Sequence, residues 1–188
     1  MRLNEILDHL TVIQLTGDFF ANEITGIYYN SAKVTKDSIF VAVKGYKTDG
    51  HRFAMDAFSK GAAAIIVEDL HSIPDEIFRR SGQAKIVVAD TRKALAQISA
   101  AYYGFPSKKL RLYGVTGTKG KTTTSFLIKN ILEKAGHKTG LIGTIANMIG
   151  DEKVPTELTT PESVELNALF ARMVNEGCTA AVMEASSH

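Results

Sequence analysis

From Leu110 to Gly136 the chain reads LRLYGV, then TGTKGKT, then TTSFLIKNILEKAG: an apolar strand, a glycine-rich loop and a helix stopped by glycine. Few folds accommodate that order. A strand that delivers a glycine loop directly into a helix is the opening unit of a nucleotide-binding α/β domain. Glycines at 114, 117 and 120 let the backbone curl so that successive N–H groups face inward, toward phosphate oxygens. The helix N-terminus adds partial positive charge at the same place. Lys121 is spaced to reach the β- and γ-phosphates of a bound nucleotide, and the hydroxyl of Thr122 to coordinate Mg²⁺. The common phosphate-loop pattern puts glycine five residues before Gly120, where this chain has Val115. An ordinary glycine-rich strand–helix turn is the alternative.

The rest of the second half supports an α/β layout. KTGLIGTIA reads as a strand, and NMIGDEKVPTEL as a polar stretch with a small hairpin around Gly150-Asp151. Thr160-Pro161-Glu162 reads as a helix start, with a hydroxyl cap, proline at the first helical position and an acid in the first turn. Leu166, Leu169, Phe170, Met173 and Val174 form the packed stripe of that helix. CTAAVMEA is a further apolar strand. Glu184 closes it, at the carboxyl edge of a parallel sheet, where ligands of such folds bind. A carboxylate there can hold the Mg²⁺ that Thr122 touches; a strand-end glutamate facing water is the bland alternative.

The first half is a separate α/β pattern. Leu3, Ile6, Leu7 and Leu10 recur at helical spacing. Strands are expected at EITGIYYN, SIFVAV, AAAIIVED and AKIVVAD, a short helix at FAMDAFSKG, and a loop at GYKTDGH (45–51). Asp90 or Thr91 caps the helix RKALAQISAAYYG. Phe105-Pro106-Ser107 is the expected boundary, dividing the chain into domains 1–106 and 107–188. On the helix after the glycine loop, Phe126, Leu127, Ile131 and Ala135 are the expected apolar face.

Composition narrows the class. A formal charge of +2 over 188 residues gives no argument for nucleic acid. No apolar run approaches the length of a bilayer span, and the N-terminus lacks a signal-peptide core, so a cytoplasmic location and no membrane partner are expected. The single cysteine, Cys178, reads as a small buried residue. His9, His51, His71 and His137 show no metal-ligand spacing and default to the surface.

TGTKGKTT, LTTPES and MEASSH, behind a first half containing NSAKVTKDSIFVAVKGYKTDGH, together resemble the Mur ligases, the ATP-dependent amide-bond ligases of peptidoglycan assembly. The resemblance covers residues 1–188. It implies a small N-terminal α/β domain that binds a UDP-sugar. A truncated P-loop nucleotide-binding domain with a mostly parallel sheet would follow, and the C-terminal amino-acid-binding domain would be absent. Within the family it is nearest to the enzymes that add a diamino acid to UDP-MurNAc-L-Ala-D-Glu through an acyl phosphate. This chain alone is expected to bind ligands without ligating.

By position, the resemblance implies an ATP-binding loop of Gly117, Thr118, Lys119, Gly120, Lys121, Thr122 and Thr123, with Lys119 where the family has asparagine. Lys121 and Glu184 would be catalytic, and Thr122 and Glu184 would hold Mg²⁺. Thr159, Thr160 and Ser186 would contact the muramoyl peptide, with Thr160 also open to the helix-cap reading, and Ser31 would contact UDP. Loop 45–51 matches the family's uracil-side loop in its glycines and Asp49. Another ligase of the superfamily, such as folylpolyglutamate synthase, a P-loop NTPase switch, and a non-catalytic nucleotide- or UDP-sugar-binding fragment are the competing readings.

Overall fold

The computed structural model describes residues 1–18, 23–45, 48–155 and 161–185. The chain forms two compact units, Met1–Tyr102 and Tyr103–His188. Among the described residues no helix is long and apolar enough to cross a membrane.

The first unit is a five-stranded sheet flanked by helices α1 (Leu3–Leu7), α2 (Ala54–Ser59) and α3 (Thr91–Tyr102). Its strands are β1 (Val12–Gly17), β2 (Ile27–Tyr28), β3 (Ile39–Val41), β4 (Ala64–Val67) and β5 (Ala84–Val88), in the order β1-β5-β4-β3-β2. β2 through β5 are parallel, and β1 joins β5 antiparallel. β4 and β5 are buried along their length, which explains why their sequences read as apolar runs, broken only by Lys85 in β5, instead of alternating ones. Phe40, Ile65, Val67, Ile73, Phe78 and Val87 build the core on one face. Phe58 meets Phe78 edge-on, with ring centroids 5.2 Å apart. Burying a side chain such as Phe78 contributes about 1.5–3 kcal/mol.

Lys85 interrupts the apolar run of β5 yet is only 1% exposed. Its ammonium donates to the carbonyls of Leu70 and Ile73 and to Asp75 Oδ1. Gln14 Nε2 donates to the other oxygen of Asp75 at 2.9 Å. A buried ammonium is tolerable only with its donors satisfied, so Lys85 acts as a peg that ties segment 70–75 to β5. Its partner holds a low pKa: the Lys85 hydrogen bond keeps the Asp75 carboxyl below its ordinary value.

The second unit has strands β6 (Arg111–Val115), β7 (Thr139–Ile142), β8 (Asn147–Ile149), β9 (Glu152–Val154) and β10 (Ala180–Glu184). Helices α4 (Lys121–Lys134) and α5 (Ser163–Asn175) complete it. The order is β6-β10-β7-β8-β9. β10 is parallel to both neighbours, β6 and β7, whereas β8 and β9 form the antiparallel hairpin expected around Gly150-Asp151. The crossover β6–α4–β7 therefore leaves a slot that the later strand β10 fills. The carboxyl ends of β6, β10 and β7 lie side by side, the place where open α/β sheets bind ligands.

Several expectations are corrected. EITGIYYN yields only the two-residue β2, because Glu23 makes an isolated bridge to Arg2 instead of extending the strand. β1 was not anticipated, since VIQLTG is half-exposed and lacks strict alternation. The α5 helix begins at Ser163 with Glu162 in the cap position and no side-chain cap bond, so Pro161 precedes the first turn; Thr160 lies outside the described residues. The largest correction concerns α4. Phe126, Leu127 and Ile131 are 37%, 58% and 66% exposed, and Ala135 is exposed too. α4 packs on β7 and β10 through Ser125 and Lys129, with Ile128 and Leu132 half-buried. The position of the strands, and not hydrophobicity alone, selects the sheet-facing side. β6 is an edge strand whose residues Arg111–Gly114 are exposed, and no described residue covers that flank.

Candidate functional site

The glycine loop leaves β6 at Val115 and enters α4 at Lys121. Gly120 occupies the helix cap in a left-handed conformation, φ 79°, which favours glycine. Residues 116–120 are exposed, so the loop presents its backbone outward at the N-terminus of a 14-residue helix. Lys121 folds back over the loop, and its Nζ donates to the Gly117 carbonyl at 2.8 Å. Thr122 is one residue further in. Its hydroxyl donates to Glu184 Oε2 at 3.2 Å, and its carbonyl accepts from Ser125 Oγ at 2.8 Å. Thr118, Lys119 and Thr123 are exposed on the same loop and first turn.

Glu184 ends β10, in register with Val115 of β6, and is fully buried. A buried carboxylate needs donors, and the connection from β7 to β8 supplies two more of them. Thr144 N–H donates to Oε1 at 3.3 Å, and Thr144 Oγ1 donates to Oε2 at 3.1 Å. Gly143 makes room for this contact: a Cβ there would lie 2.4 Å from Glu184 Oε1. The Gly143 N–H faces Asn147 Oδ1 at 3.4 Å, and Asn147 is buried, which steadies the turn.

Two hydroxyls thus converge on one carboxylate at the mouth of the loop. Each hydroxyl that donates to Glu184 keeps its lone pairs for another partner. The donor set is oxygen throughout and hard, which fits Mg²⁺ and not a softer metal. Among the described residues no group of three or more His, Cys, Asp or Glu could hold a metal. A cation here would therefore take its remaining oxygens from phosphate and water, as nucleotide-bound Mg²⁺ does.

In the first unit, Ser31 opens a 3-10 turn, Ser31–Lys33, capped by the Asn30 side chain. The Lys60 ammonium donates to the Ser31 carbonyl at 2.7 Å and to Asp56. Lys60 first, and the Ser31 hydroxyl second, hold the Asp56 carboxyl below its ordinary value. The loop after β3 is closed at its base by a bridge between Lys44 and Asp49 and by the Gly45 N–H donating to the Thr48 carbonyl. The His51 backbone N–H, donating to Asp49, holds that carboxyl low. Burial alone would raise Glu68, but the amide and hydroxyl of Thr91, together with Lys44, bring its net shift below the ordinary value.

The model described as the Mur ligase middle domain matches residues 115–188, and that of the Mur ligase family catalytic domain matches residues 23–103. The chain belongs to the Mur ligase family. Over 188 residues this Mur ligase chain is 44% identical to the UDP-N-acetylmuramoyl-L-alanyl-D-glutamate–2,6-diaminopimelate ligase of Alkaliphilus metalliredigens, spanning all of this chain and 37% of that one. A solved structure named for the same ligase activity superposes on all of this chain and 36% of its own, with a TM-score of 0.77 and 27% identity. The MurF ligase of Thermotoga maritima in complex with ADP covers 84% of this chain and 31% of its own, with a TM-score of 0.52 and 28% identity. The Mur ligase chain thus spans little more than a third of the length of the relatives it matches.

Of the residues singled out in the sequence, Lys121, Thr122 and Glu184 come together in the second unit, and Ser31 and Asp49 sit on two turns of the first. Thr159, Thr160 and Ser186 lie outside the described residues. Thr144, Gly143 and Asn147 were missed. A Gly-Thr pair after a strand is unremarkable in a sequence, and its contact with Glu184 crosses 40 residues of chain. Cys178 is buried, and burial pushes its thiol up, as an inert packing residue requires. His51 contradicts the surface reading: its side chain is only 8% exposed.

Proposed function

We propose that these residues form the nucleotide-sugar-binding unit and part of the ATP site of a ligase that adds 2,6-diaminopimelate to UDP-MurNAc-L-Ala-D-Glu in cytoplasmic peptidoglycan precursor synthesis. The observation that carries the chemistry is the buried Glu184 carboxylate hydrogen-bonded by Thr122 at the mouth of the glycine loop. The substrate follows from the names of the relatives.

A carboxylate does not condense with an amine in water without activation. In the proposed reaction the γ-phosphoryl group of ATP passes to the substrate carboxylate, giving an acyl phosphate and ADP. The amine of the diamino acid attacks the acyl carbon, the C–O bond to phosphate breaks, and the amine loses its proton. The loop amides of residues 117–120 and the α4 N-terminus bind the phosphates. Lys121 leaves the Gly117 carbonyl and neutralises charge on the β- and γ-phosphates. Thr122 and Glu184 would hold Mg²⁺, which when bound offsets phosphate charge and orients the transferred group. Thr144 keeps the Glu184 carboxylate aimed. Lys119 adds a second cation to the loop. Ser31 and the loop around Asp49 contact the UDP portion, while Thr159, Thr160 and Ser186 hold the muramoyl peptide on the strength of the family resemblance.

The test uses these 188 residues within a chain of the relatives' full length. Phosphate release should require Mg-ATP, UDP-MurNAc-L-Ala-D-Glu and diaminopimelate together, and Lys121→Ala should reduce it by at least about 100-fold. Phosphate release independent of the dipeptide precursor, or a preference for GTP, would instead favour an NTPase switch.

A further inference from the structure

His51 is held by both ring nitrogens. Nδ1 lies 2.6 Å from Asp49 Oδ1, and Nε2 lies 2.9 Å from the backbone N of Glu68. A backbone amide can only donate, so Nε2 must be the acceptor and carry no proton. The remaining proton sits on Nδ1 and is donated to Asp49. The partners therefore define one neutral tautomer. A protonated ring would turn an Nε2–H against the Glu68 N–H and break that contact.

The two partners belong to different parts of the first unit. Asp49 closes the loop after β3, through its bridge to Lys44, and caps the 3-10 turn Gly50–Phe53. Glu68 follows β4, and its side chain grips the start of α3 through Thr91 and the Lys44 ammonium. The Gly50 N–H donates to the Val43 carbonyl at 3.0 Å, and a Cβ on Gly50 would stand 2.7 Å from that oxygen, so the base of the loop packs closely against the segment after β3 and leaves no room for a side chain at position 50. The imidazole is the strut that fixes this base to the end of β4. The charged groups around it are Asp49 on the loop, Lys44 at the loop's other end, Glu68 after β4 and Arg52 on its own turn.

We infer that His51, in its Nδ1–H form, is a positioning residue that holds Asp49 and the Gly50 turn against the end of β4, and through Asp49 sets the affinity of the first unit for the uridine diphosphate end of the nucleotide sugar. This rests on the assignment of that loop as a UDP-sugar contact. His51 touches no ligand in this scheme; it acts through Asp49.

The experiment compares the 188-residue chain with its His51→Phe and His51→Gln variants, using UDP-MurNAc-L-Ala-D-Glu and Mg-ATP as separate calorimetric probes. Phenylalanine keeps the ring and removes both polar contacts, and should weaken nucleotide-sugar binding roughly tenfold while leaving Mg-ATP binding unchanged. Glutamine retains an acceptor for the Glu68 N–H and should recover part of the loss. Nitrogen-resolved NMR of the unmodified chain should show a protonated Nδ1 and a bare Nε2, with both signals shifting on addition of the nucleotide sugar. Equal affinity in wild type and His51→Phe overturns the role of His51 alone. An Nε2–H tautomer, or ring signals indifferent to bound ligand, overturns it even if the phenylalanine variant does not fold. If the unmodified chain binds no nucleotide sugar, the assignment of the first unit fails, and the role of His51 with it.

Discussion

Gly143→Ala would test whether the placement of Glu184 governs metal-dependent nucleotide binding. The added Cβ would lie 2.4 Å from Oε1 and 3.1 Å from Cδ of Glu184, whereas ordinary van der Waals contact begins near 3.4 Å. The carboxylate must therefore retreat by about 1 Å, the scale at which misplaced reacting groups lose about 100-fold in rate. Its hydrogen bonds to Thr122 and Thr144, now 3.2 and 3.1 Å, would then open past useful length. In the free protein Glu184 escapes by swinging away. If Glu184 holds Mg-ATP as proposed, it must return on binding, so the strain falls on the complex. Overpacking of this kind costs about 1–3 kcal/mol, which corresponds to a loss of about 5- to 150-fold in affinity. Calorimetry with ATP, with and without Mg²⁺, is the assay. The loss should appear only with Mg²⁺, because Lys121 and the loop amides are untouched. Equal loss in both conditions would mean that the alanine damages the loop itself. Undiminished Mg-ATP affinity in a folded variant would refute the role given to Glu184.

Three further outcomes follow from the packing. Lys85→Met strands the Leu70 and Ile73 carbonyls and should cost about 2–3 kcal/mol in urea unfolding; Asp75, about a third exposed, regains water and adds little. Asp49, Glu68 and Asp75 all have lowered folded-state pKa values. Their stabilisation is therefore complete above the ordinary carboxylate range, about pH 4, and is lost as pH falls through their folded values; the urea midpoint should drop below about pH 4, with a shallower drop in Asp75→Asn. Ile131→Lys, on the uncovered side of α4, should stay within about 0.5 kcal/mol of wild type, whereas Leu141→Ala, fully buried in β7, should cost about 2–5 kcal/mol in the same experiment.

How much of this was legible beforehand depended on range. The glycine loop, the start of α4 and the β8–β9 hairpin are local: glycine, lysine and hydroxyl spacing within ten residues defines them, and the structure has them where the spacing puts them. The apolar runs of β4 and, apart from Lys85, of β5 announce strands buried on both faces. β1 escaped because a half-exposed edge strand carries a weak pattern, and its antiparallel partner β5 begins 67 residues after its own last residue, Gly17↔Ala84. The buried face of α4 was misread because an amphipathic stripe says that a helix has an apolar side but not what lies against it. His51 was misread because its two partners are a neighbour, Asp49, and a distant backbone amide, Glu68, and only the second carries it inside.

The sequence alone determined that a phosphate-type loop sits between a strand and a helix, that Lys121 and Thr122 head that helix, and that Glu184 ends a buried strand. These are matters of adjacency, and adjacency is written in the chain. Tertiary structure alone decided that β10 inserts between β6 and β7, which brings Glu184 level with Val115 and within reach of Thr122. It also decided that Gly143 and Thr144 complete the cradle around that carboxylate. Strand order is settled by which apolar faces bury together and which crossovers close, a sum over contacts across the unit, and no short stretch of sequence carries it.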